Sequence, residues 1–301
     1  MIRPLFVVAL VLAAPAAGQT ATRTAAVGQN IDWSAEHDPR PVTYEVGGFT
    51  LAMRSQSGGD DSPDMMHLAL TVSMPGMAPV TVDGNDTPAS YEHRVTIGNW
   101  DADTRYVLFQ SFSGGAHCCT NFKAIIPENG RLHVIDLGDH DGDYLDRMPR
   151  DIDGDGRLDF VFPDGNFLYA FASYAESYPP PMVQNIVDDR LIDVSARPGF
   201  RSLFESALGD ARTGCLHSEA DTNPNGICAA YVAVAARLGR FDAAWAEMLN
   251  AYKRDSDWEL PSGCRRTMPE NEACPDADQI HYTDYPDALR HFLIEQHYIA
   301  R

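Results

Sequence analysis

The sequence predicts an α+β protein: an N-terminal antiparallel β domain, propeller-like or sandwich, followed by a small disulfide-bonded α-helical domain. Three observations carry this. Short β-branched and aromatic runs separated by glycine-rich turns recur between Val42 and Val194. From Phe200 onward the apolar residues switch to helical spacing. Cys215, Cys228, Cys264 and Cys274, four of the six cysteines, fall in that helical part. The expected divisions are a signal peptide over 1–18, a flexible lead-in over 19–40, the β domain over 41–198 and the helical domain over 199–301.

Met1-Ile2-Arg3 gives a short basic start, Leu5 to Ala14 is apolar, and Ala16-Ala17-Gly18 supplies small residues for cleavage. That is the pattern of a secretory signal, and the apolar run is too short to span a bilayer. Export to the periplasm or beyond it is therefore expected, with no membrane span. An even cysteine count in an exported chain argues for disulfides. The chain carries 23 Lys and Arg against 43 Asp and Glu, a formal charge of −20 that becomes −21 once Arg3 leaves. Such a surface repels nucleic acid and anionic lipid, so neither is an expected partner. It suits divalent cations. Thr20 to Arg40 shows no sustained periodicity and reads as the loose lead-in.

Strand signals begin at Val42. Val42–Val46 and Phe49–Met53 flank Gly47-Gly48, a hairpin pattern, and His67–Val72 and Tyr91–Ile97 add two strands. Tyr106–Phe112 and Phe122–Ile126 are interrupted by a glycine-rich turn containing His117-Cys118-Cys119. Three readings of that turn stay open: the adjacent cysteines bond each other, each reaches a distant cysteine, or with His117 they hold a soft metal. The oxidising compartment favours a disulfide. Trp100–Phe109 resembles Ile152–Val161 at a shift of 52 residues, the spacing of β-propeller blades.

Asp151-Ile152-Asp153-Gly154-Asp155-Gly156-Arg157-Leu158-Asp159 places carboxylates at loop positions 1, 3, 5 and 9 and glycine at position 6. Alternate side chains point inward in such a loop, and glycine allows the sharp turn, so oxygen ligands surround a hard cation. Arg157 would add its backbone carbonyl and Asp159 would close the shell. Without a cation, two of these charges about 5 Å apart repel by roughly 3 kcal/mol at an effective dielectric near 20. A solvated acidic turn is the alternative. An EF-hand is excluded, because position 12 is Phe162 and the flanks read as strands: Leu158–Phe162, a turn at Pro163–Asn166, then Phe167–Phe171 returning. This loop-and-hairpin unit resembles the calcium loops of integrin-type β-propeller repeats, the FG-GAP or VCBS class, over Met148–Phe171. The resemblance implies calcium on Asp151, Asp153, Asp155 and Asp159. A second acidic stretch, Asp139-His140-Asp141-Gly142-Asp143, lacks the turn glycine and has Arg147 at position 9, so a polar loop is expected.

In the C-terminal part, Phe200–Ala211, Ile227–Leu238, Asp242–Tyr252 and Pro286–Tyr298 each place apolar residues on one helical face. Leu238 to Trp245 looks like one tetratricopeptide-type hairpin; an ordinary hairpin is the simpler reading, since arrays need several copies. Cys215 with Cys228 and Cys264 with Cys274 are expected as local pairs, each contributing about 3 kcal/mol by chain entropy.

The chain has no Gly-x-Ser-x-Gly elbow, no His-Glu-x-x-His helix and no phosphate-cradling loop. His281, His291 and His297 read as surface residues rather than ligands. The expectation is an exported calcium-binding protein, binding or structural rather than catalytic, whose partner is a protein or a glycan. The alternatives are an exported hydrolase or redox enzyme using His117-Cys118-Cys119, and a protein-binding envelope factor acting through the helical hairpin.

Overall fold

A computed structural model describes residues 21–58, 64–115, 119–142, 144–145, 147–219, 221–266 and 272–300. The expected signal peptide, His117 and Cys118 lie outside the described residues. Among the described residues no helix is long and apolar enough to cross a membrane.

Among the described residues, thirteen strands precede the first α-helix. They are β1 (Ala21–Thr24), β2 (Asn30–Trp33), β3 (Val42–Val46), β4 (Phe49–Ser57), β5 (Met66–Ser73), β6 (Val80–Asp83), β7 (His93–Asn99), β8 (Arg105–Phe112), β9 (Thr120–Glu128), β10 (Arg131–His140), β11 (Phe160–Pro163), β12 (Pro181–Val187) and β13 (Arg190–Asp193). They form sheets in the orders β1-β3-β4-β5-β6, β10-β9-β8-β7-β2 and β11-β12-β13. Among the described strands, β1 alone runs parallel to its partner, β3.

Alternation along the strands sets the layers. In β4 the buried Phe49, Leu51 and Met53 point one way, and they meet Val95, Val107 and Phe109 of the second sheet. The first two sheets therefore form a sandwich, which decides between the two architectures the sequence left open. In β8, by contrast, six successive residues from Tyr106 to Ser111 are buried, because the second sheet is covered on both faces. Its far side presents Tyr106, Leu108, Phe122 and Ile135 to Phe160 and Phe162 of the small third sheet. The third sheet in turn packs Val161 and Val183 against Phe200, Phe204 and Val234 at the helices. The chain is a stack of three β layers and one helical layer.

Residues 21–33, expected as a flexible lead-in, instead supply two strands. β2 alternates exposed and buried residues, sending Ile31 and Trp33 into the sandwich core while it pairs with β7. Two such anchors are too few for a periodicity reading, but burying a tryptophan contributes on the order of 2 kcal/mol or more. The strand expected at Phe167–Phe171 is also corrected. Asp164 caps a short 3-10 turn over Gly165–Phe167, accepting a hydrogen bond from the Asn166 amide, and Tyr169 takes a left-handed φ of 60°. Phe167 and Phe171 leave the sheet to meet Phe292 and Tyr285 edge-on, and the returning strand is β12. The two copies of the faint repeat become loop-then-strand units in different sheets, leading into β8 and β11.

The helices are α1 (Arg201–Leu216), α2 (Asn225–Arg237), α3 (Phe241–Met248) and α4 (Tyr285–Glu295); a two-residue ladder pairs β14 (Gly263–Cys264) with β15 (Gln279–Ile280). Small residues let α2 be buried all round, Ala229, Ala230 and Ala233 included, rather than on one face. The expected local disulfides are present, Cys215–Cys228 joining α1 to α2 and Cys264–Cys274 closing the segment between β14 and β15. Cys119 is disulfide-bonded too.

One buried group makes the sandwich acid-sensitive. His93 of β7 is 1 % exposed between Trp33 and Phe109, 2.9 Å from the Ser111 hydroxyl. Desolvation, with a smaller push from His67, lowers its pKa to about 4. Below about pH 6.5 the unfolded chain takes up a proton at this ring that the folded chain refuses until about pH 4. Stability should therefore fall as pH drops through that window, by on the order of 3 kcal/mol from this ring. Denaturant melts at pH 7 and pH 4 check it: His93→Gln should lose measurably less stability between the two than the parent chain does.

Candidate metal centre

The acidic loop is held shut at its neck. Arg150 and Asp159 pair across it as an isolated β-bridge, with the Asp159 amide donating to the Arg150 carbonyl at 3.0 Å. Within the loop Gly154 and Gly156 adopt φ of 83° and 85°, which side-chain-bearing residues rarely do. Those turns aim amide hydrogens inward. The Gly154 and Gly156 amides donate to the two carboxylate oxygens of Asp151, at 2.7 and 3.0 Å. The Asp155 amide donates to Asp153 Oδ1, the Arg157 amide to Asp155 Oδ1, and the Ile152 amide to Asp159 Oδ2. The loop's backbone thus satisfies one oxygen or more on every carboxylate.

Asp151, Asp153 and Asp159 come together: one carboxylate oxygen from each lies within 4.8 Å of the others. Their settings differ. Asp151 is exposed, the Asp153 side chain is 8 % exposed, and Asp159 is buried at 1 %. Asn185 of β12 supports the buried member, its side-chain amide donating to Asp159 Oδ1 at 2.6 Å and to the Leu158 carbonyl at 2.9 Å. Asp155, the fourth aspartate, turns away from the trio. Its Oδ2 takes a 2.6 Å hydrogen bond from Arg197, which also donates to Asn185 Oδ1 and stands 3.6 Å from Asp153 Oδ2. Arg157 follows the second glycine turn, as the spacing required, with its side chain exposed.

The turn at Pro198–Phe200 closes against the loop. A Cβ on Gly199 would fall 2.2 Å from the Asp153 Cβ, so only glycine lets the two backbones approach this closely. Arg197, Asn185 and Gly199 all lie 26 or more residues beyond Asp159; no local spacing signals them, because the third sheet brings them there.

Chemically the trio offers hard oxygen donors and no imidazole or thiolate, which suits calcium or magnesium rather than zinc or copper. Three clustered carboxylates repel one another, and Arg197 offsets part of that. The second acidic stretch is only partly the loop expected of it: Asp139 and His140 end strand β10, paired with β9, Asp143 lies outside the described residues, and Asp139 accepts from Asn121 and Asp141 from the Tyr174 hydroxyl, at 3.0 and 2.9 Å.

A family model described as the sll0997 C-terminal domain matches residues 204–297, the helical layer. The probable thylakoid lumen protein sll0997 of Synechocystis sp. is 31 % identical over 260 residues, covering 85 % of this chain and 75 % of that protein. The uncharacterized protein y4bJ of Sinorhizobium fredii is 31 % identical over 194 residues, covering 64 % of this chain but 30 % of its own length. No solved structure matches the chain.

Because Asp159 is a buried acceptor for two donors, Asp159→Asn should turn an amide N–H toward one of them. We expect a loss of about 1–3 kcal/mol even in chelator, read from urea denaturation. Asp153→Asn can keep its carbonyl on the Asp155 amide and should cost far less.

Proposed function

The chain belongs to the sll0997 family, and on that premise we propose that it works outside the cytoplasm as a calcium-binding, non-catalytic binding or structural protein. The Synechocystis relative is named a probable thylakoid lumen protein, that lumen is an extracytoplasmic compartment, and the Cys215–Cys228 and Cys264–Cys274 bonds suit an oxidising one.

The observation that carries the calcium reading is the convergence of Asp151, Asp153 and Asp159 within 4.8 Å on a loop pre-shaped by amide-to-carboxylate hydrogen bonds. Preorganisation lowers the ordering cost of binding. Calcium takes six to eight oxygens, so three aspartates and the Arg157 carbonyl would leave places for water or for a ligand's oxygen. A cation there would relieve the mutual repulsion of the trio and pin the loop neck to the third sheet. The three carboxylates lie together and are held by backbone amides, by the Asn185 side chain and by Arg197, an arrangement that supports an ion site more than it supports a separated acid and base. The role that follows is mechanical: the metal stiffens the junction between the β layers and the helices, and the partner, a protein or a glycan, is bound by the surface so fixed.

Arg197 gives the site its tuning. Its guanidinium holds Asp155 away from the trio and competes for Asp153.

The reading is tested by melting the purified protein in millimolar calcium and in chelator, with calorimetric titration of calcium. A ligand at about a hundred times its Kd adds roughly 2.7 kcal/mol of stability, so a clear rise in Tm is expected. Asp153→Asn should abolish the rise while leaving the chelated Tm nearly unchanged. No shift at millimolar calcium in the parent chain would sink the proposal. Arg197→Met should lower the chelated Tm and tighten calcium several-fold, since it frees Asp155 and removes a competing positive charge.

A further inference from the structure

One face of the acidic loop opens onto a cleft of about 720 Å³, bounded by the Val27-Gly28 turn, residues 97–102 and residues 148–151 and 156–158. Its composition is two-sided. Val27, Trp100, Met148 and Leu158 give it apolar walls, and Val27 is 39 % exposed. Arg150 and Arg157 line the same cleft, both exposed, and neither side chain has a hydrogen-bond or ion-pair partner among the described residues. Arginines 94, 197, 212, 237 and 240, by contrast, each hold a carboxylate. Asp151 is shared: it belongs both to the cleft wall and to the carboxylate trio.

We propose that this cleft binds a small amphipathic organic anion, with its acidic head on Arg150 and Arg157 and its apolar body against Val27, Trp100, Met148 and Leu158. The volume is that of a small-molecule site, and apolar walls with a few fixed polar groups are what such sites use. Guanidinium forks match a carboxylate or sulfonate in two directions at once. The aspartates beside the cleft repel an anion when bare. Asp101 also lines the cleft, its carboxylate held by the Asp103 and Thr104 amides, and is untouched by the metal; calcium on the trio cancels the part of the repulsion that comes from Asp151 and its neighbours, so metal and anion reinforce each other, each raising the other's affinity by the same factor. This coupling rests on the calcium reading above; the dependence on arginine does not.

The test uses anilinonaphthalenesulfonate as the anion and N-phenylnaphthylamine, nearly the same aromatic body without the sulfonate, as the neutral comparator. Fluorescence titration of the calcium-treated mature chain should give saturable binding of the sulfonate. The neutral comparator, and the Arg150→Ser/Arg157→Ser double variant with the sulfonate, should each bind roughly ten-fold more weakly or worse. The substitutions keep both backbone carbonyls, which the loop neck and the proposed metal shell use, and remove only exposed side chains without a partner among the described residues, so the double variant should keep its melting curve. Equal binding by the neutral compound, equal binding by the double variant, or no saturable binding overturns the proposal. Cosedimentation with phosphatidylglycerol vesicles in place of small-molecule binding would move the site to a membrane surface and overturn it as well. Chelator should weaken the sulfonate. If calorimetry detects no calcium uptake yet arginine-dependent binding persists, the metal reading falls and the cleft stands; if calcium binds and the sulfonate ignores it, the coupling falls.

Discussion

The buried carboxylate of Asp159 ties the acidic loop to the third sheet. One of its oxygens takes the Ile152 amide across the loop and the other takes the Asn185 amide from the neighbouring strand. A carboxylate removed from water persists only when its oxygens are met by donors, so the loop neck and the β11–β12 pairing come as a unit. Immediately after it, Phe160 and Phe162 enter the interface with the second sheet. The charge, the hairpin register and the aromatic packing are thereby coupled through consecutive residues.

The layer order has an equally simple cause. The second sheet presents apolar residues on both faces, so neither face can be left to water. The first sheet covers one side, and the small third sheet, far narrower, covers part of the other with its two phenylalanines. The third sheet then exposes Val161 and Val183 on its own outer face, which the Phe200–Phe204 turn and helix cover. Each layer is needed because the one before it is apolar on its far side. The acidic loop runs at the edge of this junction, where Gly199 of the helical connection touches Asp153.

Arg197 qualifies the picture of a plain cation loop. It occupies Asp155 and reaches Asn185, tying the connection after β13 to both the loop and the third sheet. A protein guanidinium thus supplies part of the positive charge that the four aspartates demand. Within the trio it reaches Asp153, at 3.6 Å, while its shortest contact is to Asp155 outside the trio.

Periodicity and local spacing were enough for much of the molecule. The hairpin at Gly47-Gly48, the central strands, the four helices, the two local disulfides and the loop carrying Asp151, Asp153 and Asp159 are all determined by residues close together in the chain, since turns, helical faces and Asx hydrogen bonds act over a few positions. The tertiary structure alone decided that Ile31 and Trp33 belong to the core, that Phe167 and Phe171 join the helices rather than a strand, and that Asp155 leaves its companions for Arg197. Each of those outcomes depends on a partner tens of residues away, and local pattern carries no information about which distant surface a side chain will meet.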